Sequence, residues 1–559
     1  MKTRTAVLRD LAVRRFDVCV IGGGATGAGC ALDAQMRGLQ TALVDGHDFA
    51  AASSSASTKL VHGGVRYLQQ ALAELDLGQL KVVRRALRER ILLLENAPYL
   101  AHPLEILIPC RSRFETLYYS LGMKLYERMA GRASLGPSRK LSPAESRRRM
   151  PGLAAEKLAG AVVYFDGQLD DARYGWALVN TFVAAGGEAA NYAKVIAFEK
   201  ASNGKLTAAI LEDRLAGARM TVRARAFVNA TGPFADTIRS LASPGVAARL
   251  VLSRGVHILL PLAADATREA LLVPKTEDGR VIFAIPWQGR LLVGTTDRET
   301  TLEADLAVQQ AEAEYLLSHL NPYLARPREI EEIVSAFAGI RPLVRSKHAR
   351  ATRKLIRDHE VEVDPQSGLI SILGGKWTTY RAMGEDTIDA VERYLGQPVL
   401  PSPTRHHRLE GAKGYRPDHW KELVWEFGLE EPVARRLAQK FGSGAGKVAL
   451  LMQADPELRR RIVSGAAAIR AEIVHAIWQE MAVTLEDVLA RRLGLEYFSW
   501  ELAVEAAPVV ASYLARELDW SEAQKSDAVS GYVGKIRRRQ STIGVRKVEP
   551  LGEGHSGLS

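Results

Sequence analysis

Between Ser53 and Leu68 the chain reads Ser-Ser-Ser-Ala-Ser-Thr-Lys-Leu-Val-His-Gly-Gly-Val-Arg-Tyr-Leu, a stretch rich in groups that move protons and hold anions. An imidazole titrates at about 6.5, so His62 is suited to take a proton near neutral pH. The guanidinium of Arg66 is a planar fork that matches phosphate oxygens. The hydroxyls here, Ser57 and Thr58 among them, suit the oxygens of a flavin or a pyrophosphate. A loop that only connects two elements has no need of so many donors, or of a histidine beside a glycine pair.

Such groups need a frame, and the frame precedes them. Phe16 to Ile21 is an apolar, β-rich run, followed at once by Gly22-x-Gly24-x-x-Gly27, then Ala31, Gly38, a second apolar run from Thr41 and an acid, Asp45. This is a nearly complete dinucleotide-binding fingerprint. Gly22 makes the tight turn, Gly24 lets backbone approach a pyrophosphate, and Gly27 lets helix and strand pack closely. The helix starting near Ala25 points its free N–H groups at the phosphates, and Asp45 is placed to accept hydrogen bonds from ribose hydroxyls.

Composition agrees with a folded enzyme. The chain has 559 residues, 47% hydrophobic and 25% charged, which excludes global disorder and predicts two or three domains. Three cysteines, Cys19, Cys30 and Cys110, make no disulfide framework, and no metal-ligand spacing occurs. The arginines at 4, 9, 14 and 15 precede the Rossmann strand rather than a signal-like apolar core. No run of about 18 apolar residues occurs, so no helix is expected to cross a bilayer.

The net charge is +11, with basic clusters at 81–90, 146–149 and 535–539. No nucleic-acid motif accompanies them, so nucleic acid is not an expected partner. Solvated helix faces are expected to carry most of this charge, and anionic phospholipid or a phosphorylated substrate the rest. From Arg111 to Arg132, Phe114, Leu117, Tyr118, Leu121, Leu125 and Met129 recur at helical spacing among cations. That mixture suits a helix lying in a membrane interface, and equally an amphipathic helix covering a core.

Strand-like and helical runs alternate to about residue 400. Val281–Pro286 and the run from Leu291 to Asp297 predict antiparallel neighbours across a turn at Gly289, and the run from Gly368 ends in a glycine pair able to open a helix at Trp377. The Pro-rich stretch from Gly396 to Pro403 reads as a linker. Beyond it the pattern is helical, as from Ala471 to Leu493, with a frayed tail after Thr542. The stretch from Gly442 to Lys447 is not a P-loop, because Val448 stands where a magnesium-binding hydroxyl belongs. Adjacent His406 and His407 read as surface residues. Thr484 with the acids and bases after it reads as a capped, stabilising helix.

Six motifs in order resemble the FAD-dependent glycerol-3-phosphate dehydrogenases: the fingerprint, the stretch ending at Leu68, Tyr164–Arg173, Val228–Pro233, Ala338–Leu343 and Gly374–Arg381. The likeness runs over about residues 15 to 390, and Met481–Arg492 looks like that family's last domain. The resemblance places the chain in the D-amino-acid-oxidase-like flavoprotein superfamily. It implies an α/β fold: a Rossmann-like FAD-binding domain (about 15–92, 155–240 and 345–400), a mixed β-sheet substrate domain (about 93–154 and 241–344), together spanning 1–400, and a helical C-terminal domain over 401–559.

The resemblance further implies FAD contacts at Gly22, Gly24, Gly27, Asp45, Ser57, Thr58, Val195, Thr231, Gly232, Gly375 and Thr378. Arg66, Tyr67, Arg341 and Arg357 would meet the phosphate of sn-glycerol 3-phosphate, with His257 nearby. His62 would be the base at the C2 hydroxyl, with Lys376, Arg357 and His257 as other candidates, and hydride would pass to flavin N5. Lys376 would stabilise alkoxide or reduced-flavin charge. Dihydroxyacetone phosphate would leave, and a membrane quinone would take the electrons. No metal is expected. The expected setting is cytoplasmic and peripheral, on the inner face of the cell membrane, through 111–132, and a homodimer is compatible. Competing readings are a soluble oxidase making hydrogen peroxide, another D-amino-acid-oxidase-like enzyme, and a flavoprotein without turnover.

Overall fold

The computed structural model describes residues 2–64, 77–156, 158–262, 269–274, 276–277, 279–302, 306–345 and 359–545. Arg66, Tyr67 and Arg357 lie outside the described residues. The chain is α/β, built on two sheets and a helical C-terminal region.

The first sheet is parallel at its centre. Arg15–Ile21 lies between Arg219–Asn229 and Thr41–Val44, with Ile370–Gly374 and Glu188–Ala190 next outward on either side. Both faces of such strands are covered, which is why Phe16, Val18, Val20, Val44 and Val228 are buried in largely apolar runs. The helices Ala25–Met36, Asp171–Ala184 and Tyr380–Tyr394 pack together over it. Two of them approach at glycine: a Cβ on Gly384 would stand 2.9 Å from the backbone of Gly29.

The second sheet has ten strands and is mostly antiparallel. Leu250–Pro261 and Ser335–Val344 pair along nearly their whole length, from Leu250 opposite Val344 to Leu259 opposite Ser335. The expected hairpin forms between Ile282–Trp287 and Arg290–Gly294, turning through Gln288 and Gly289, both at positive φ. Ser253, Gly255 and His257 alternate onto the face shared with Phe337, Gly339 and Arg341.

The C-terminal helices begin at Trp420, and their buried Val510, Leu514 and Ile536 join Val256, Ile258 and Leu260 of the second sheet in one core. The stretch Ala471–Leu493 is not one helix, contrary to its periodicity. Arg470–Glu480 stops at Met481, which is left-handed, and a π-turn segment follows at Asp487–Arg492. Buried polar side chains set that break: the carboxylate of Asp487 accepts the N–H groups of Val483 (2.9 Å) and Thr484 (3.0 Å), capping a new start.

Lys81, Arg84, Arg88, Arg147, Arg148, Arg537 and Arg538 of the basic clusters are exposed, while other members are paired. Arg90 is buried against Asp166 at 2.6 Å, Arg85 pairs with Asp386 at 2.7 Å, and Lys535 and Arg539 each pair at 2.6 Å with Glu486 and Glu496. Helix Arg113–Ala130 is present, capped by Ser112, and it keeps Phe114 77% and Leu121 64% exposed while burying Met123 and Tyr126. Among the described residues no helix is long and apolar enough to cross a membrane, and no cluster of metal-ligating side chains occurs.

Candidate active site

The two sheets enclose a cavity of about 990 Å³. On the first-sheet side its wall is the glycine turn. Gly22 has φ +104°, and a Cβ there would stand 2.6 Å from Ala230 O; one on Gly24 would stand 2.8 Å from Ser54 Oγ. Only hydrogen fits at Gly22, and at Gly24 a Cβ would displace the Ser54 hydroxyl, so bare backbone faces the cavity at the start of helix Ala25–Met36. Gly27 packs helix against strand, as its spacing predicts: it is off the cavity wall, and a Cβ there would meet Gly22 O at 1.7 Å.

Asp45 lines the cavity at the end of its strand and accepts the N–H of Gly23 (2.6 Å) and of His47 (2.8 Å). Burial raises its pKa to about 6, against the lowering effect of those two N–H groups. Val195, Thr231, Gly232, Gly375 and Thr378 line the same cavity. Bare glycine backbone at a helix start, a fixed acid one strand away and a long cleft fit a dinucleotide.

The 53–62 loop forms the floor, and its hydroxyls are used within the protein. Ser57 donates its hydroxyl to Asp171 at 2.7 Å, and the Ser57 N–H meets the same oxygen at 3.0 Å. Thr58 Oγ1 lies 2.9 Å from His257 Nε2. Both residues line the cavity, with Ser57 tied to the helix Asp171–Ala184 and Thr58 to the second sheet. Beneath them Lys59, wholly buried and at φ +60°, pairs with Asp171 and sits 4.7 to 5.2 Å from the rings of Tyr497, Phe337 and Trp287. Ser53 donates to Ile340 O, which pins the loop beside Arg341.

His62 lines the cavity with its backbone held on both sides. Its own N–H donates to Thr378 Oγ1 at 3.2 Å, and the next N–H, of Gly63, donates to Tyr126 OH at 2.7 Å. Tyr126 OH in turn donates to Asp166 Oδ1 at 2.9 Å. Lys376 is on the wall at the cap of the Trp377–Thr379 turn, and Trp377 Nε1 donates to Ser54 O at 2.9 Å.

On the second sheet, Arg341 donates to Thr296 O (3.1 Å) and Thr295 Oγ1 (2.9 Å) and lies 3.6 Å from Asp297, with its side chain 35% exposed and lining the cavity. Its guanidinium rests over Gly255, where a Cβ would stand 2.2 Å from a guanidinium nitrogen. His257 is buried, stacked on Phe337 at 4.9 Å, and burial, with Arg341 and Lys59 nearby, pushes its pKa well below the usual range, so it is neutral at pH 7. Gly294 makes room for that ring, since a Cβ there would meet His257 Cδ2 at 2.1 Å.

Gly255, Gly294, Thr295, Thr296 and Tyr126 went unread in the sequence. Glycines inside the apolar runs at 255 and 294 were the available signal, because glycine in a strand marks a close approach. The cavity is also walled by Ile108, Leu272, Val281, Phe283 and Tyr119, the last on helix Arg113–Ala130.

Two family patterns match the chain in sequence: FAD dependent oxidoreductase over residues 17–386, and the C-terminal domain of alpha-glycerophosphate oxidase over 402–525. The mitochondrial glycerol-3-phosphate dehydrogenase of Mus musculus is 40% identical over 523 residues, covering 92% of this chain and 72% of that protein. The Homo sapiens protein of the same name is 41% identical with the same coverage. The glycerol-3-phosphate dehydrogenase of Bacillus halodurans, solved in complex with FAD, superposes with a TM-score of 0.78 at 30% identity, covering 99% of both chains. The L-alpha-glycerophosphate oxidase of Mycoplasma pneumoniae, at 16% identity and a TM-score of 0.53, shares the fold.

Proposed function

The chain belongs to the FAD-dependent glycerol-3-phosphate dehydrogenase family, and from that membership we propose that it oxidises sn-glycerol 3-phosphate to dihydroxyacetone phosphate and delivers the electrons to a membrane quinone. The observation that carries this reading is the seat of Arg341. A guanidinium braced by Thr295 and Thr296 enters the same cavity as the Gly22–Gly24 turn, His62 and Lys376. A cation fixed that way suits a phosphate dianion. FAD, when bound, supplies the two-electron acceptor.

The chain's own groups do the rest. Arg341 holds the phosphate, with Arg66, Tyr67 and Arg357 assigned to the same anion. His62 takes the proton of the C2 hydroxyl, its backbone fixed by Thr378 and Tyr126 so that the ring keeps its place on the wall. Lys376 offsets the negative charge that develops as the proton leaves. His257, neutral and bonded to Thr58, orients the floor of the site and carries no net charge near the phosphate.

Two observations support quinone as acceptor and a peripheral place on an anionic membrane surface. The wall formed by Ile108, Leu272, Val281, Phe283 and Tyr119 is apolar and aromatic and reaches helix Arg113–Ala130. That helix turns Phe114, Leu117, Tyr118 and Leu121 outward among Arg113, Lys124 and Arg128, the pattern of an interfacial helix.

The test is anaerobic mixing of the purified holoprotein with sn-glycerol 3-phosphate while following the visible flavin band. Bleaching is expected, with rapid recovery on adding a quinone analogue and slow recovery in oxygen. No bleaching removes the substrate assignment. Fast recovery in oxygen with hydrogen peroxide formed replaces quinone by the oxidase reading.

A further inference from the structure

The turn that carries Asp45 is gripped from beneath by the C-terminal helical region. Asp48, three residues on, is wholly buried and receives Arg491 Nε at 2.6 Å, Arg492 at 2.7 and 2.9 Å, and Asn191 Nδ2 at 3.1 Å. Burial alone would raise its pKa; Arg492 and Arg491 hold it at about 2, so it stays ionised. The two arginines are fixed in turn. Arg491 pairs with Asp487, and Arg492 donates to Glu480 O at 2.7 Å and stacks 4.8 Å above Trp176. Glu480 receives both guanidinium arms of Arg173 at 2.7 and 2.8 Å.

A second line reaches the same turn. Asp487 Oδ1 accepts the hydroxyl of Tyr192 at 2.7 Å; Tyr192 N–H donates to His47 O at 2.9 Å; and His47 N–H holds Asp45 at 2.8 Å. Ala50 N–H, at the far end of the turn, donates to Gly23 O at 3.0 Å, within the glycine loop. Every link from Asp487 to the Asp45 carboxylate is thus a hydrogen bond or a covalent neighbour. Nothing in a stabilising helix over 484–492 would require two adjacent arginines to converge on one buried aspartate in a turn more than 400 residues away.

We propose that segment 480–492 belongs to the FAD-binding apparatus: by clamping Asp48 and Tyr192 it sets the pose of Asp45 and the glycine loop, so FAD occupancy and docking of the C-terminal helices are one coupled equilibrium. Asp48, Arg491 and Arg492 are positioning residues, not cofactor ligands. Coupling of this kind is reciprocal: loosening the clamp weakens FAD, and FAD tightens the clamp. The inference rests on FAD lying at the Gly22–Asp45 site, and the experiment separates the two.

Amide hydrogen exchange of the wild-type full chain is followed with and without FAD, alongside FAD affinity for Asp45→Ala, Arg492→Lys and Tyr192→Phe. FAD is expected to slow exchange across 481–492, outside the cavity. Arg492→Lys, which keeps the charge and loses the fork, is expected to weaken FAD by roughly fivefold to a hundredfold, and Tyr192→Phe by less. Unchanged exchange across 481–492, or wild-type FAD affinity in Arg492→Lys while Asp45→Ala weakens it, overturns the coupling. Full affinity in Asp45→Ala overturns the placement of FAD instead. The wild-type exchange comparison decides the matter even where a variant does not fold.

Discussion

Replacing Gly255 by Ala tests the phosphate seat without touching a charged group. Gly255 lies in an ordinary strand, so the backbone accepts alanine. The new Cβ, however, would stand 2.2 Å from one Arg341 nitrogen and 2.6 Å from its guanidinium carbon. Carbon contacts settle at about 3.5 Å, so the guanidinium must retreat by roughly 1 Å. It cannot do so and keep its bonds to Thr296 O at 3.1 Å and Thr295 Oγ1 at 2.9 Å. Hydrogen bonds to a charged group contribute about 1.5–3 kcal/mol each, so a displaced Arg341 should cost about 2–4 kcal/mol in substrate binding. That is roughly thirtyfold to several hundredfold in KM, at about 1.4 kcal/mol per tenfold. The assay is steady-state turnover against glycerol 3-phosphate concentration, with flavin content and thermal unfolding as controls. Arg341→Ala should act in the same direction, and in its background Gly255→Ala should add little, because the alanine acts only through the arginine. A KM within about twofold of wild type in a flavin-replete Gly255→Ala protein, or additive effects in the double variant, would refute the seat.

Three further expectations follow from the site. His62→Ala should leave FAD content unchanged and slow flavin reduction by about a hundredfold or more in a single-turnover, stopped-flow experiment; an unaltered rate excludes His62 as base. Asp45 has its folded pKa raised to about 6, so it binds its proton more tightly folded than unfolded. Folding of the apoprotein therefore gains from acidification below that value and loses that gain as pH rises through it. The ionised carboxylate is the form that accepts ribose hydroxyls, so FAD affinity should rise as pH rises through about 6 and flatten above it, a dependence that Asp45→Asn must abolish; a flat wild-type titration counts against the ribose role. Tyr126→Phe removes the acceptor of the Gly63 N–H and the donor to Asp166. It should cost about 1–3 kcal/mol of stability and slow flavin reduction by loosening the His62 loop; unchanged melting and unchanged reduction would show that the tyrosine does not position it.

The sequence by itself determined the parts of this protein that are local. A phosphate-binding turn needs its glycines within a few residues of a strand end and a helix start, so Gly22, Gly24 and Asp45 were legible without coordinates, as were the dense loop at 53–62 and the Gln288–Gly289 hairpin. Order along the chain was enough to indicate the family. What only the tertiary structure decided depends on register and on burial. Arg341 and His257 share a face because Ser335–Val344 pairs with Leu250–Pro261 in one register and no other, and no spacing in the sequence encodes that partner. Ser57 and Thr58 meet Asp171 and His257, partners that lie far away in the sequence and could not be read from it. Arg90, Arg491 and Arg492 looked like solvated charge or dipole complement, yet each is buried against an aspartate distant in sequence. A charge's role follows from what it meets when water is removed, and that partner is chosen by packing between elements, not by neighbours along the chain.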